Sequence, residues 1–476
     1  MRPTHIPRAL LALFLVLFIN LRVQSQLVLH TSGNKIMDST GKQVILRGVN
    51  LGGWLVTENW MCGITDTTDA EGRASIQSLE KRFTKPQVKQ LVKTWEDNWI
   101  TAADLDTIQS LGFNFVRVPF GWRNLQDQKQ QWYLDSLGHI DFSRFDWIVT
   151  QAAMRHIYVL LDYHIWLNQN QDYSGISHVD SVIRNACKIW KAVAGHFYGN
   201  TTVAGYDLLN EPTASYRDTV MHLIYDTVRS VDPSHMISIE WTAIDTGRWH
   251  NVLYQNHWYG LTSSSKSRNV TYFDSAYLPV LNNADSKGVP YYIGETHVAD
   301  DSSMAWSLYQ YCLHNTSWSP WTYKTINQWG WGLISLFPNK VSANIVKDPY
   351  DTILAKWSGV SKSNTSYELQ DVKTIWRTGA KDVCLTNGIP EIKGQDLIVN
   401  LHPNPANTNV VLETNEAMIG GTVILSDITG REIMRSEIKT SETILSVSGC
   451  VNGIYFVKVS KPNEQSIVRK LLVVRY

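Results

Sequence analysis

"TAADLDTIQSLGFNFVRVPF" (residues 101–120) holds a helix and a strand with almost nothing between them. Thr101 and Asp104 stand at capping-box spacing, and Leu105, Ile108 and Leu111 fall on one helical face. Gly112 supplies the stop signal. The run that follows, "FNFVRVPF" (113–120), is apolar at nearly every position. A strand buried on both faces, entered straight from an amphipathic helix, is the repeating unit of a parallel sheet covered by helices.

The alternation extends in both directions. Upstream, "VILRGVN" (44–50) reads as a strand, preceded by a hairpin-like stretch at 27–50 with turn signals "SGN" and "TGK". Downstream come "IYVLLDYH" (157–164), "VAGYDLLNE" (203–211), "MISIEW" (236–241), "VLYQNHWY" (252–259), "PYYIGETH" (290–297) and "SPWTYK" (319–324). Helical segments such as "SRFDWIVTQAAMRHI" (143–157) lie between most of them. With 113–120 this makes a set of strands sufficient for a (β/α)8 TIM barrel with insertions over residues 26–375. An open doubly wound sheet would carry a Gly-rich turn after an early strand, and no G-x-G-x-x-G occurs.

The two ends differ from this middle. Arg2, His5 and Arg8 precede the apolar run "ALLALFLVLFI" (9–19), and Val23 and Ser25 occupy the small-residue positions of a signal-peptidase site. Residues 1–25 are therefore expected to be a signal peptide cleaved before Gln26; a retained anchor is the alternative. Residues 376–395 lose periodicity and read as a linker. From 396 to 476 short alternating strands split by Asn, Gly and Pro turns predict a small all-β sandwich.

Composition narrows the function. With 43 basic and 43 acidic residues the formal charge is zero, so nothing suggests a nucleic-acid partner. The chain carries 19 Trp and 21 Tyr, suited to a large core or to a cleft whose flat faces stack on sugar rings. Five cysteines without a C-x-x-C pair argue against structural zinc and favour buried single thiols over a disulfide framework. A monomer is expected.

In a barrel of this kind, chemistry sits at the C-terminal ends of the strands. Polar residues gathered there are Asn50 with Glu58 in the following loop, Arg117, Asp162 and His164, Asn210 and Glu211, Glu240, His257 and Tyr259, Glu295 and His297, and Trp321. Two carboxylates facing one cleft can cleave a glycosidic bond if one is protonated and the other ionised. Arg117 and Tyr259 are suitable types to hold Glu295 ionised, Asn210 can bond a sugar 2-hydroxyl, His164 and His257 add hydrogen bonds, and Trp321 can floor a subsite. Glu240 and Asp162 read as ion-pair partners. Alone, each residue has a plainer reading, Trp321 as core and each histidine as scaffold. "ETH" (295–297) would offer a metal a Glu and a His, but further ligands are not evident, so no metal or cofactor is expected.

Taken together, "LRGVNLGGWLVTENWM" (46–61), "TWEDNWITAADLDTIQSLGFNFVRVPFGW" (94–122), "DLLNEP" (207–212), "NHWYG" (256–260), "IGETH" (293–297) and "SPWTYKT" (319–325) resemble glycoside hydrolase family 5, the cellulase family, and within it the exo-β-1,3-glucanase branch. The resemblance covers about residues 27–375. It implies a retaining double displacement on β-glucan, with Glu211 as acid/base and Glu295 as nucleophile. It implies substrate-binding roles for Glu58, Arg117, His164, Asn210, His257, Tyr259 and Trp321. Thr296, Ile165 and the loop 165–175 depart from the branch pattern, which leaves linkage and chain-length preference open; a β-mannan hydrolase and a non-catalytic glycan-binding protein are the alternatives. The tail, through "HPNPAN" (402–407), "SDITGREI" (426–433), "NGIYFVKV" (452–459) and "RKLLVVRY" (469–476), resembles the C-terminal sorting domain of the type IX secretion system. That implies the type IX machinery as a partner and a secreted or cell-surface location.

Overall fold

The computed structural model describes residues 26–66, 76–165, 176–212, 217–240, 243–261, 266–298, 301–328, 330–361, 365–380, 399–414, 418–427, 431–461 and 467–475. The expected signal peptide, the loop beyond Ile165 and the linker beyond Ala380 lie outside them. The chain divides into two compact units, Met1–Asn387 and Gly388–Tyr476.

The first unit is built on eight parallel strands: β1 (Gly48–Asn50), β2 (Phe115–Gly121), β3 (Tyr158–Ile165), β4 (Val203–Asp207), β5 (Met236–Glu240), β6 (Val252–Tyr259), β7 (Tyr291–His297) and β8 (Ser317–Pro320). Each pairs with the next in chain order. A parallel bridge between Arg47 and Trp318, with the Trp318 N–H donating to Leu46 O at 2.9 Å, closes the ring. This is the (β/α)8 barrel. The helix Ala102–Ser110 has the expected capping box between Thr101 and Asp104, and the helices Ser143–Ala153, Ile176–Phe197, Arg217–Val231 and Asp301–Leu313 follow β2, β3, β4 and β7.

Period-two alternation sorts each strand. Val116, Val118 and Phe120 of β2 and Val159, Leu161 and Tyr163 of β3 face the helices in the main core. Phe115, Tyr158, Leu160, Ala204, Met236, Leu253 and Tyr292 form a separate interior cluster with Leu29 and Ile36. The latter two come from the short antiparallel strands Leu29–Ser32 and Lys35–Asp38, so the N-terminal hairpin plugs the barrel floor. Continuing the inward column upward gives Arg117 above Phe115, Asp162 and His164 above Leu160, and Glu240 above Met236. An apolar floor thus hands over to a polar upper end by sequence alternation alone.

Three boundaries differ from the sequence reading. Strand β4 stops at Asp207, not Glu211. Beyond it the chain bonds to both neighbours outside the ladder, Leu208 N–H to Ser238 O (3.2 Å) and Asn210 N–H to Tyr163 O (3.2 Å). Strand β8 is Ser317–Pro320, not 319–324. Trp318 faces the core while small serines flank it, and a Ser-rich run has no apolar signature. Lys324–Ile326 instead joins a second small sheet with Ile334–Leu336 and Ser366–Glu368. The expected linker begins too early, because the helix Gln370–Ala380 buries Val372, Trp376 and Ala380 at i, i+4 and i+8. Cys62, Cys187 and Cys450 are thiols, whereas Cys312 is disulfide-bonded.

In the second unit, Val399–His402, Asn409–Thr414 and Glu442–Ser446 form one antiparallel sheet. Thr422–Asp427, Glu432–Glu437, Gly453–Ser460 and Ile467–Val473 form another. Val410, Leu412 and Leu445 from the first share a core with Val423, Leu425, Val457 and Leu471 from the second. This is the small all-β sandwich.

Candidate active site

Arg117 organises the upper end of the barrel. Its side chain is fully buried, and every nitrogen is engaged. Nε donates to Asp207 Oδ2 at 2.8 Å, Nη1 to Glu295 Oε1 at 2.9 Å and to Asn50 Oδ1 at 3.1 Å, and Nη2 to Asn210 Oδ1 at 2.9 Å. Asp162 Oδ2 lies 3.1 Å from Nη2. Burial opposes the charge on Arg117, but Asp162, Asp207 and Glu295 together hold its pKa well above the ordinary range.

Glu295 reaches this guanidinium through an irregularity in β7. The β6–β7 register passes from Asn256↔Ile293 to His257↔Glu295, so Gly294 has no counterpart. The extra residue turns Glu295 into the same interior that Tyr292 faces. A Cβ at Gly294 would sit 2.5 Å from the side chain of Gln255, so glycine is needed for the close approach. The second oxygen of Glu295 accepts from the Tyr259 hydroxyl. That hydroxyl is pushed well up, first by burial and then by Glu295, so it stays a donor.

Glu211 approaches from the loop after β4. Its backbone lies in the left-handed region, with φ 44°, where a non-glycine residue needs outside support. Its N–H donates to Glu240 Oε2 at 2.7 Å. Its side chain is 43% exposed against 6% for Glu295, so one acid faces the cleft mouth and the other the interior. His257 Nδ1 lies 2.9 Å from Glu211 Oε1 and 3.6 Å from Glu295 Oε2. One carboxylate oxygen of each glutamate and one His257 nitrogen lie within 4.8 Å of one another.

Burial pushes His257 down to about 3 and His164 to about 4, so both imidazoles are neutral near pH 7. His164 Nδ1 bonds Asp162 Oδ2 at 2.8 Å. Its ring stacks on Trp321 with centroids 5.0 Å apart and planes 9° from parallel. Burial also raises Asp162 to about 7 and Asp207 to about 6, against the pull of Arg117.

The structure thus gathers Arg117, His164, Asn210, Glu211, His257, Tyr259, Glu295 and Trp321 in one network. Glu58 sits at its edge. It accepts from Trp60 Nε1, Trp60 packs edge-on against Trp331 at 5.1 Å, and Trp331 stands 6.1 Å from the Tyr259 ring. His297, the other half of the "ETH" pair, stacks on Trp331 at 3.8 Å rather than joining Glu295.

Residues 75–330, more than half of the chain, match the cellulase family, glycosyl hydrolase family 5. The chain belongs to glycosyl hydrolase family 5. Among its relatives is a beta-xylosidase of Phanerodontia chrysosporium, 29% identical over 255 residues, which cover 49% of this chain and 52% of that protein. Another is a probable glucan 1,3-beta-glucosidase A of Aspergillus niger, 27% identical over 178 residues, which cover 36% and 42%. The chain spans about half the length of the curated relatives it matches. The catalytic domain of Thermobifida fusca endoglucanase Cel5A superposes with a TM-score of 0.46 at 15% identity, covering 73% of this chain and 97% of that one. Residues 400–474 match the secretion system C-terminal sorting domain.

Three residues of this network were not singled out from the sequence. Asp207 is an acid inside the apolar run "YDLLN", a signal that was there to read. Gln255, whose Nε2 lies 3.4 Å from both Asp207 and Glu240, looks like any strand glutamine. Trp331 comes from a stretch with no strand or helix signature.

Proposed function

We propose that this chain is an exported retaining β-glycan hydrolase, with Glu211 as acid/base and Glu295 as nucleophile, acting on β-glucan. The observation that carries the reading is the short oxygen-to-oxygen approach of the two carboxylates, within 4.8 Å. A retaining pair stands about 5–5.5 Å apart, whereas an inverting pair needs roughly 6.5–9.5 Å to admit a water.

Glu295, oriented by hydrogen bonds from Arg117 and Tyr259, attacks the anomeric carbon. Glu211 gives its proton to the departing glycosidic oxygen, which frees the leaving sugar. Water then enters, Glu211 takes its proton, and the oxygen attacks the anomeric carbon to release Glu295. Asn210, held by Arg117, bonds the 2-hydroxyl, and Trp321, backed by His164, supports the ring of the reacting sugar. Similarity to a beta-xylosidase and to a probable glucan 1,3-beta-glucosidase supports a β-glycan substrate. The match of the tail to a sorting domain supports export by the type IX route.

The test is Glu295→Ala assayed on soluble β-glucans, with proton NMR of the earliest products of the wild type. The variant is expected to lose activity, and the first product is the β-anomer. Unchanged activity, or an α-anomeric first product, sinks the reading.

A further inference from the structure

The extra residue in β7 shows on both of its neighbours. After Ile293↔Trp318 the β7–β8 pairing resumes at Thr296↔Pro320, three steps on one strand against two on the other. The β6 side carries the same excess at Gly294. A bulge disrupts the ladder locally, so its peptide groups call on other partners to keep one orientation.

Side chains from two other strands supply them. Ser319 Oγ on β8 donates to Gly294 O at 2.7 Å, and Asn50 Nδ2 on β1 donates to the same oxygen at 2.9 Å. The Tyr292 hydroxyl lies 2.5 Å from Ser319 Oγ. Asn50, Ser319 and Tyr292 are all fully buried. The Asn50 amide has one workable orientation here. A guanidinium only donates and a carbonyl only accepts, so Oδ1 meets Arg117 and Nδ2 meets Gly294.

Gly294 O belongs to the planar peptide whose N–H is that of Glu295. Fixing that oxygen fixes the plane that enters the Glu295 Cα, and with it the direction of the side chain. Arg117 and Tyr259 hold the carboxylate at its far end. Glu295 is thus gripped at both ends. Asn50 serves both, through Arg117 at one and Gly294 at the other, whereas Ser319 serves one alone. Among the described residues, the Ser319 hydroxyl bonds to Gly294 O, Tyr292 and Asn50, and to neither glutamate.

We propose that Ser319 is a positioning residue for the nucleophile: by clamping the Gly294 carbonyl together with Asn50, it aims the Glu295 carboxylate at the anomeric carbon. The inference rests on Glu295 being the nucleophile. It adds that the aim of this carboxylate is set from β1 and β8, the two strands at which the ring closes. A displacement of about 1 Å can cost ~100-fold in rate, and with Asn50 still on the oxygen a smaller loss is expected.

The experiment uses the full chain and a 2,4-dinitrophenyl 2-deoxy-2-fluoro-β-glycoside of the best-accepted sugar. A bond forms from the nucleophile to the anomeric carbon as the bond to dinitrophenolate breaks, and the departing anion needs no proton. In Ser319→Ala the inactivation rate constant should fall about 30-fold while the Ki of the reagent changes less than about twofold, the mark of an interaction made in the transition state alone. Ser319→Thr keeps the hydroxyl and should recover to within about threefold of the wild type.

Ser317→Ala is the comparison. Ser317 is buried on the same strand, and its Oγ accepts the Leu46 N–H at 3.0 Å. Its loss removes a buried hydroxyl from β8 without touching the bulge, so inactivation should proceed at the wild-type rate even where the Tm falls. Wild-type inactivation of Ser319→Ala, a loss carried by Ki, or a Ser317→Ala variant as slow as Ser319→Ala overturns the inference. Peptide mass spectrometry of the inactivated wild type separates the two ideas. With a label on another residue, or none, the nucleophile assignment itself fails. With a label on Glu295 that forms equally fast in Ser319→Ala, only the positioning role fails.

Discussion

Arg117 Nη1 donates to Glu295 Oε1 at 2.9 Å, while Nε and Nη2 of the same guanidinium face Asp207 and Asp162. A single buried cation thus supports Glu295, the proposed nucleophile, and lies against both aspartates. Arg117→Met should leave three buried carboxyl groups competing for protons. The expected loss of stability is ~3–5 kcal/mol, with activity reduced at least about 100-fold. Arg117→Lys should recover part of the stability but little activity, since one ammonium cannot reproduce the planar fork. Thermal melts and kcat/KM on β-glucan check this; an active Lys variant counts against it.

The site also has a defined pH signature. Folded His164 and His257 refuse protons until about pH 4 and about pH 3, whereas unfolded histidine takes them near pH ~6.5. Their contribution to stability is full above that value and is lost as the pH falls. Asp162 and Asp207 keep protons up to about 7 and about 6 when folded, so theirs is full at low pH and lost as the pH rises. The two trends offset each other in the wild type. In His164→Asn/His257→Asn only the second remains. The Tm difference, wild type minus variant, should therefore grow from pH 4 to pH 7, and a constant or shrinking difference would contradict the assignment.

Trp331 links Tyr259, His297 and Trp60 into one aromatic wall. Truncation to Ala removes a flat face without touching either glutamate. KM for oligosaccharides should rise about tenfold, worth ~1.4 kcal/mol, while kcat changes less than about threefold, the mark of uniform binding. A large fall in kcat with unchanged KM would instead assign Trp331 to the reacting sugar.

The tail is a separate compact unit with its own apolar core. A chain ending at residue 387 should hydrolyse substrate with the kcat/KM of the full chain when purified. In the producing cell it should accumulate inside the outer membrane rather than outside it. Fractionation with an activity assay decides, and normal export of the shortened chain would refute the sorting role.

What could be read from the sequence divides by physical cause. Near-continuous apolar runs announced seven barrel strands, because both faces of each are buried. The eighth reads as 319–324 but lies at Ser317–Pro320, since serines beside one tryptophan carry no such signature and leave its bounds unmarked. Acids and histidines at strand ends announced most of the site. Gln255 and Trp331 did not, because their importance depends on neighbours brought in by closure of the ring. Asp207 is legible as an acid whose inward position follows from strand alternation. The left-handed φ of Glu211 belongs to a contact with Glu240, 29 positions away, and no local pattern reports it.

Asn50 has a wider consequence. Its Nδ2 donates to Gly294 O at 2.9 Å and Ser319 O at 3.1 Å, on β7 and β8, while its Oδ1 accepts from Arg117. The strands β1 to β4 bring Asn50, Arg117 and the segment leading to Glu211; β5 to β8 bring Glu240, His257, Tyr259 and Glu295. Neither half-barrel owns both glutamates, and the groups that would do the chemistry are also the polar interface by which the halves recognise each other. Folding and catalysis are therefore proofread by the same bonds: a lesion that loosens the seam between first and last strands registers as lost turnover before the cylinder itself gives way.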